Sequence, residues 1–110
     1  MSGLEAVAYT DGDVALTGWL TPPSGPARGA MVVFPTIANK TPAVERRAAM
    51  LTEAGFVTMI ADFYGVEPAS FEAAQPLAAA LRADVAGYRR RLLAAIEALR
   101  AHDAACGLTL

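Results

Sequence analysis

Two short stretches, residues 31–34 and 56–61, are almost unbroken in their apolarity and rich in β-branched side chains. That is the pattern of a strand covered on both faces. Between them a helical period takes over. Val44, Ala48 and Leu51 recur on one face, Thr41 can cap, Pro42 suits the first turn, and Gly55 supplies a left-handed stop. Strand, crossover helix and strand predict a parallel βαβ unit, with its hand fixed by the right-handed crossover rule.

Upstream the period is two. Residues 5–10 and 14–20 read as strands separated by Asp11-Gly12-Asp13, a hairpin signal. Val14, Leu16 and Gly18 fall on one face, and Ala15, Thr17 and Trp19 on the other, with Trp19 expected to pack rather than bind. The Pro- and Gly-rich residues 21–29 form a connecting loop too short to divide domains. Downstream, residues 71–80 are weakly helical and interrupted by Pro76. Leu81, Val85, Tyr88, Leu92, Ile96 and Leu99 then predict one long helix, with Asp84 near its start and Arg100 near its end, as the helix dipole favours. Arg89-Arg90-Arg91 reads as a solvated face, with anion binding as the alternative. Residues 106–110 could open a further strand.

The fold class expected is therefore α/β. An N-terminal hairpin and a parallel βαβ unit share one mixed sheet flanked by helices, in a single domain over residues 1–110. In such sheets ligands sit beyond the carboxyl ends of the parallel strands, which directs attention to residues 35–40 and to Asp62-Phe63-Tyr64-Gly65.

Composition narrows the functional classes. With 110 residues, a modest core is within reach. The net charge of −2 argues against nucleic acid, which calls for basic patches. No run approaches the length of a membrane span, and residues 1–8 include Glu5 and lack a basic n-region, so neither membrane nor export is expected. A lone Cys106 precludes an intramolecular disulfide, and a cytoplasmic location is the expectation.

Tests for chemistry are mostly negative. Lys40-Thr41 lies between a strand and a helix, but a phosphate loop needs glycines where Asn39 and Phe34 stand. No Gly-x-Gly-x-x-Gly follows either strand, so no nucleotide cofactor is expected, and one His with one Cys gives no metal-ligand spacing. Asp62 has two readings, a carboxylate capping its own loop or a catalytic group. Cys106 makes a poor nucleophile. The glycine two before it is absent, Gly107 is misplaced, and His102, the sole imidazole, has no orienting scaffold.

An ordered set of residues resembles the start of a dienelactone hydrolase family protein. It comprises Tyr9-x-Asp11-Gly12-Asp13, Leu16-x-Gly18-x-Leu20, Val32-Val33-Phe34-Pro35-x-Ile37, Arg46-Arg47-Ala48-x-Met50-Leu51, Ala54-Gly55-Phe56-Val57 and Ala61-Asp62-x-Tyr64-Gly65. That family is a branch of the α/β-hydrolases and opens esters or lactones with a Cys (or Ser)–Asp–His triad. The resemblance implies that the backbone N–H of Ile37 contributes to an oxyanion hole, where a rigid donor is worth about 3 kcal/mol. It also implies that Thr36, Asp62 and Tyr64 border the substrate. Many members carry Glu where Thr36 stands. Their elbow, acid and histidine follow the long helix, so residues 106–110 resemble the strand leading to a nucleophile that these residues do not include.

Three functional expectations result. The first is the N-terminal half of an ester or lactone hydrolase, inactive alone. The second is an association module in which residues 31–34 form an open sheet edge that homo-oligomerises or accepts a complementing C-terminal partner. The third, an enzyme acting through Cys106 and His102 alone, is the remotest.

Overall fold

The computed structural model describes residues 4–23, 25–35, 39, 41–66, 68–102, 105, 108 and 110. Strand β1 (Glu5–Asp11) and strand β2 (Val14–Thr21) form the antiparallel hairpin, with Asp11 opposite Val14 across the turn. Strand β3 (Gly29–Val33), helix α1 (Pro42–Glu53) and strand β4 (Phe56–Ile60) follow. β3 and β4 run parallel in the register Gly29 with Phe56 through Val33 with Ile60. The expected βαβ unit is present.

β2 pairs antiparallel with β4, giving the order β1-β2-β4-β3 in one mixed sheet. Central β4 is covered on both faces, which explains its near-continuous apolarity. In β2, Leu16, Gly18 and Leu20 are buried while Ala15 and Thr17 are exposed, the two-residue alternation read from the sequence.

Helix α1 begins where Thr41 Oγ1 accepts from Val44 N at 3.3 Å, with Pro42 in the first turn. It ends at Gly55, whose φ of +104° is a left-handed conformation that costs little without a Cβ. α1 packs Val44 and Ala48 against Val33 and Ile60 on one sheet face, with Trp19 and Leu51 alongside. Trp19 is thus a packing residue.

The helical C-terminal part departs from expectation. Helix α2 (Phe71–Ala83) is continuous through Pro76, which is exposed, and Ser70 caps it with Oγ accepting from Ala73 N. One proline removes one internal hydrogen bond, and the rest of the helix carries on around it. The apolar stripe from Leu81 to Leu99 is not one helix. Asp84 leaves helical geometry at φ −122°, ψ 84° and its carboxylate accepts from Gly87 N at 3.0 Å, starting helix α3 (Val85–Ala101) afresh. An aspartate that captures a backbone N–H three residues ahead is a cap, and here it separates two helices. Leu81 therefore belongs to α2, and Val85 is exposed.

α3 covers the second sheet face, where Ala95 and Leu99 meet Leu20, Ala30, Val57 and Met59. The result is three layers, helix on sheet on helix. Ala105 lies in a single 3₁₀ turn, and the described Leu108 and Leu110 are in no strand. Cys106, Gly107 and Thr109 are outside the described residues. Among the described residues, no helix is long and apolar enough to cross a membrane.

Candidate functional site

β3 and β4 both deliver their chains to the same sheet end, where the hairpin overhangs them. β4 leaves the sheet after Ile60, opposite Trp19. Continuing that antiparallel register would set residue 62 opposite Thr17. Asp62 fills that place with its side chain, Oδ2 accepting from Thr17 N at 2.9 Å. A carboxylate thus extends a ladder that the backbone has abandoned.

Its other oxygen is equally occupied. Asp62 Oδ1 accepts from Asn39 Nδ2 at 2.9 Å, from Tyr64 N at 3.0 Å and from Gly65 N at 3.0 Å. The backbone of Asp62 is held by the Tyr9 phenol, which accepts from Asp62 N at 3.0 Å and donates to Asp62 O at 3.4 Å. Burial pushes the Tyr9 hydroxyl up to about 12, with the nearby Asp62 adding to it and the backbone hydrogen bond opposing it.

Asn39 is the link from the β3 loop. It is 2% exposed, adopts φ +63°, and its Oδ1 accepts from Phe63 N at 3.1 Å. Asparagine is the residue after glycine that best tolerates a left-handed backbone, and its amide both donates and accepts here. Gly65, at φ +80°, passes so close to β2 that an added Cβ would sit 2.5 Å from Ala15 O. Arg91 closes the arrangement from α3. Its Nε donates to Asp11 Oδ2 at 2.8 Å, and its Nη1 donates to Phe63 O. Of the arginine run only Arg89 and Arg90 are exposed, so the expectation of a wholly solvated face fails at Arg91.

Asp62 therefore has both oxygens committed to donors of its own chain, the geometry of a capping group. Tyr64 lies beside it, its ring 6.0 Å from that of Phe63, and Phe63 stands 5.9 Å from Tyr88. Burial, then the neighbouring Tyr88, raises the Tyr64 hydroxyl. A cavity of about 290 Å³ lies between the hairpin turn and the helices, lined by Asp11, Tyr64, Asp84, Tyr88, Arg90 and Arg91 among others.

Thr36, Ile37 and Cys106 lie outside the described residues, so the oxyanion-hole expectation has no geometry to meet. His102 caps the end of α3 and stands 3.5 Å from Glu5, at the opposite end of β1 from the Asp11 turn. Among the described residues, no group of three His, Cys, Asp or Glu side chains could hold a metal. Asp62 and Tyr64 are legible in the sequence as site candidates, whereas Tyr9 and Asn39 acquire their roles only in the folded chain. A polar residue able to adopt positive φ, in the loop after a buried strand, was the available signal for Asn39.

A mixed sheet with a parallel βαβ unit, helices on both faces and loops gathered at the carboxyl ends defines an α/β-hydrolase-like fold. The particular likeness is to dienelactone hydrolase-like proteins. One is a dienelactone hydrolase-like promiscuous phosphotriesterase from metagenomic libraries, with a TM-score of 0.85 at 28% identity, covering 94% of this chain and 45% of that one. Another, m3DLH, gives a TM-score of 0.81 at 26% identity over the same shares. A dienelactone hydrolase from Anabaena variabilis shares the fold, with a TM-score of 0.63 at 22% identity, over 93% of this chain and 46% of that one. No protein-family model matches the sequence, and no curated protein does. The chain spans less than half the length of these solved structures and has the fold of the N-terminal half of a dienelactone hydrolase-like protein.

Proposed function

We propose that this chain supplies the N-terminal half of a hydrolase acting on a small carboxylic ester or lactone. In this reading the β3 loop brings the Ile37 N–H to the oxyanion, with Thr36 and Tyr64 bordering the substrate. The nucleophile, acid and histidine come from polypeptide that follows these residues or from a complementing chain. The observation supporting it is the parallel β3–α1–β4 unit, with Asn39, after β3, hydrogen-bonded to Asp62 and Phe63, after β4. An oxyanion donor is effective only when its loop is fixed before charge develops, because a donor that must reorganise loses most of its advantage.

The reading expects the 110-residue chain alone to be inactive. Turnover of p-nitrophenyl acetate by the purified chain, persisting in the Cys106→Ala and His102→Ala variants, would overturn that. Lineage is tested separately. Coding DNA beyond the Leu110 codon, read in all three frames, is expected to encode Gly-x-Cys/Ser-x-Gly followed by Asp and His.

A further inference from the structure

Helices α2 and α3 meet at Asp84 with no linker between them, and the break in helical geometry there leaves a crevice against the hairpin turn. Its volume of about 290 Å³ is at the lower end of ligand sites, which suits one small molecule rather than a peptide. β1 and β3 are opposite margins of the sheet, and this crevice is at the turn that ends β1. The described residues lining it fall between Asp11 and Arg91, so its walls are the hairpin turn, the β4 loop, α2 and the first turns of α3.

The charges in the crevice come in two pairs of opposite sign. The inner pair is largely buried, with Arg91 Nε donating to Asp11 Oδ2 at 2.8 Å. Arg91 Nη1 is taken up by Phe63 O, which leaves Arg91 Nη2 and Asp11 Oδ1 without a partner among the described residues. Among those residues no buried side-chain N or O lacks a hydrogen bond, so these two atoms are open to the crevice that their side chains line. The outer pair is Asp84 and Arg90. Asp84 Oδ1 caps Gly87 N, whereas Oδ2 and Arg90 Nη2 converge on the space over Gly87. A Cβ there would overlap the first and lie 3.2 Å from the second. Even so, among the described residues neither side chain has an ion-pair partner.

These groups select a kind of ligand. A simple anion would set its charge against Asp11 and Asp84, and a simple cation against Arg90 and Arg91. A molecule carrying both charges lets each meet its opposite in charge-assisted hydrogen bonds. Beside the charges, Leu77 and Leu81 of α2 and the rings of Tyr64 and Tyr88 supply apolar surface.

We propose that this crevice binds a free α-amino acid with an apolar side chain, as its zwitterion. The ammonium donates to Asp11 Oδ1 and Asp84 Oδ2, and the carboxylate accepts from Arg90 and Arg91. The side chain lies against Leu77, Leu81 and the two tyrosine rings. The site does not rest on the hydrolase reading, and because binding is read without turnover, either can fail alone.

Titration of the 110-residue chain with L-leucine, followed by two-dimensional amide NMR, tests it. Saturable shifts are expected at Tyr64, Gly87 and Tyr88, with a Kd of about 1 mM or tighter. N-acetyl-L-leucine lacks the ammonium and L-leucinamide lacks the carboxylate, and each should bind about tenfold more weakly. Asp84→Asn keeps the cap on Gly87 N while removing the charge, and Arg90→Gln alters an exposed site, so both variants should fold. Each should weaken L-leucine by about threefold to fivefold, the smaller effect expected of a solvent-screened charge. Asp84→Asn should leave N-acetyl-L-leucine unchanged, and Arg90→Gln should leave L-leucinamide unchanged. Absence of a saturable shift with L-leucine overturns the proposal. So does equal binding of the three compounds, or an affinity for L-leucine that either variant leaves intact.

Discussion

Replacing Asp62 by alanine removes an acceptor from four donors at once: Thr17 N, Tyr64 N, Gly65 N and Asn39 Nδ2. Asp62 is only 6% exposed, so water reaches the vacated site poorly. A buried donor left without an acceptor costs about 1–3 kcal/mol. Tyr64 and Gly65 belong to a surface loop that can turn some of its N–H groups to solvent. Thr17 and Asn39 are held by the sheet and the core. Two stranded donors and two partly rescued ones give a loss of about 3–5 kcal/mol, against the ~5–15 kcal/mol that a domain possesses. Asp62→Asn separates charge from connectivity. It keeps one acceptor oxygen, but its amide must present N–H to donors, so a loss of about 2 kcal/mol is expected. Urea denaturation followed by circular dichroism measures both values, and amide exchange locates them, with Thr17, Tyr64 and Gly65 exchanging faster. An Asp62→Ala chain within about 1 kcal/mol of the parent, with Tyr64 and Gly65 protected as before, would refute the capping role.

Other residues of the knot give independent tests. Asn39→Ala loses both side-chain bonds and keeps a Cβ at φ +63°, whereas Asn39→Gly loses the bonds but relaxes the backbone. The alanine variant should be the less stable by about 1 kcal/mol in chemical denaturation. Gly65→Ala meets Ala15 O as well as positive φ, and a drop of about 2–3 kcal/mol or a failure to fold is expected on thermal melting. Tyr9 titrates higher folded than unfolded, so its contribution is full below pH 10 and disappears as pH rises through about 12. Allowing for partial solvent screening, that is about 1–2 kcal/mol lost across the window. A Tyr9→Phe chain should be weaker at neutral pH and lack that alkaline loss, as urea midpoints measured against pH will show.

What the amino-acid order decided by itself were features set within a few residues or by periodicity. Thr41, Pro42 and Gly55 bound α1 because caps and left-handed stops are local backbone chemistry. The burial alternation of β2 follows from a period of two, and the buried character of β4 from its composition. β3 is equally apolar in sequence yet leaves Met31 38% exposed, because burial of a strand depends on what covers each face. Even the parallel sense of β3 and β4 followed, since a crossover helix of this length allows little else. Asp84 shows where periodicity misleads. Its stripe of apolar residues passes smoothly through a residue whose carboxylate ends one helix and starts another.

Tertiary structure alone decided which polar groups meet. Tyr9, Thr17, Asn39, Asp62 and Arg91 come from a hairpin, two loops and a distant helix. Their hydrogen bonds depend on the sheet order β1-β2-β4-β3, which brings the hairpin over the carboxyl end of β4. No local pattern encodes that order, because it is fixed by which apolar faces bury one another.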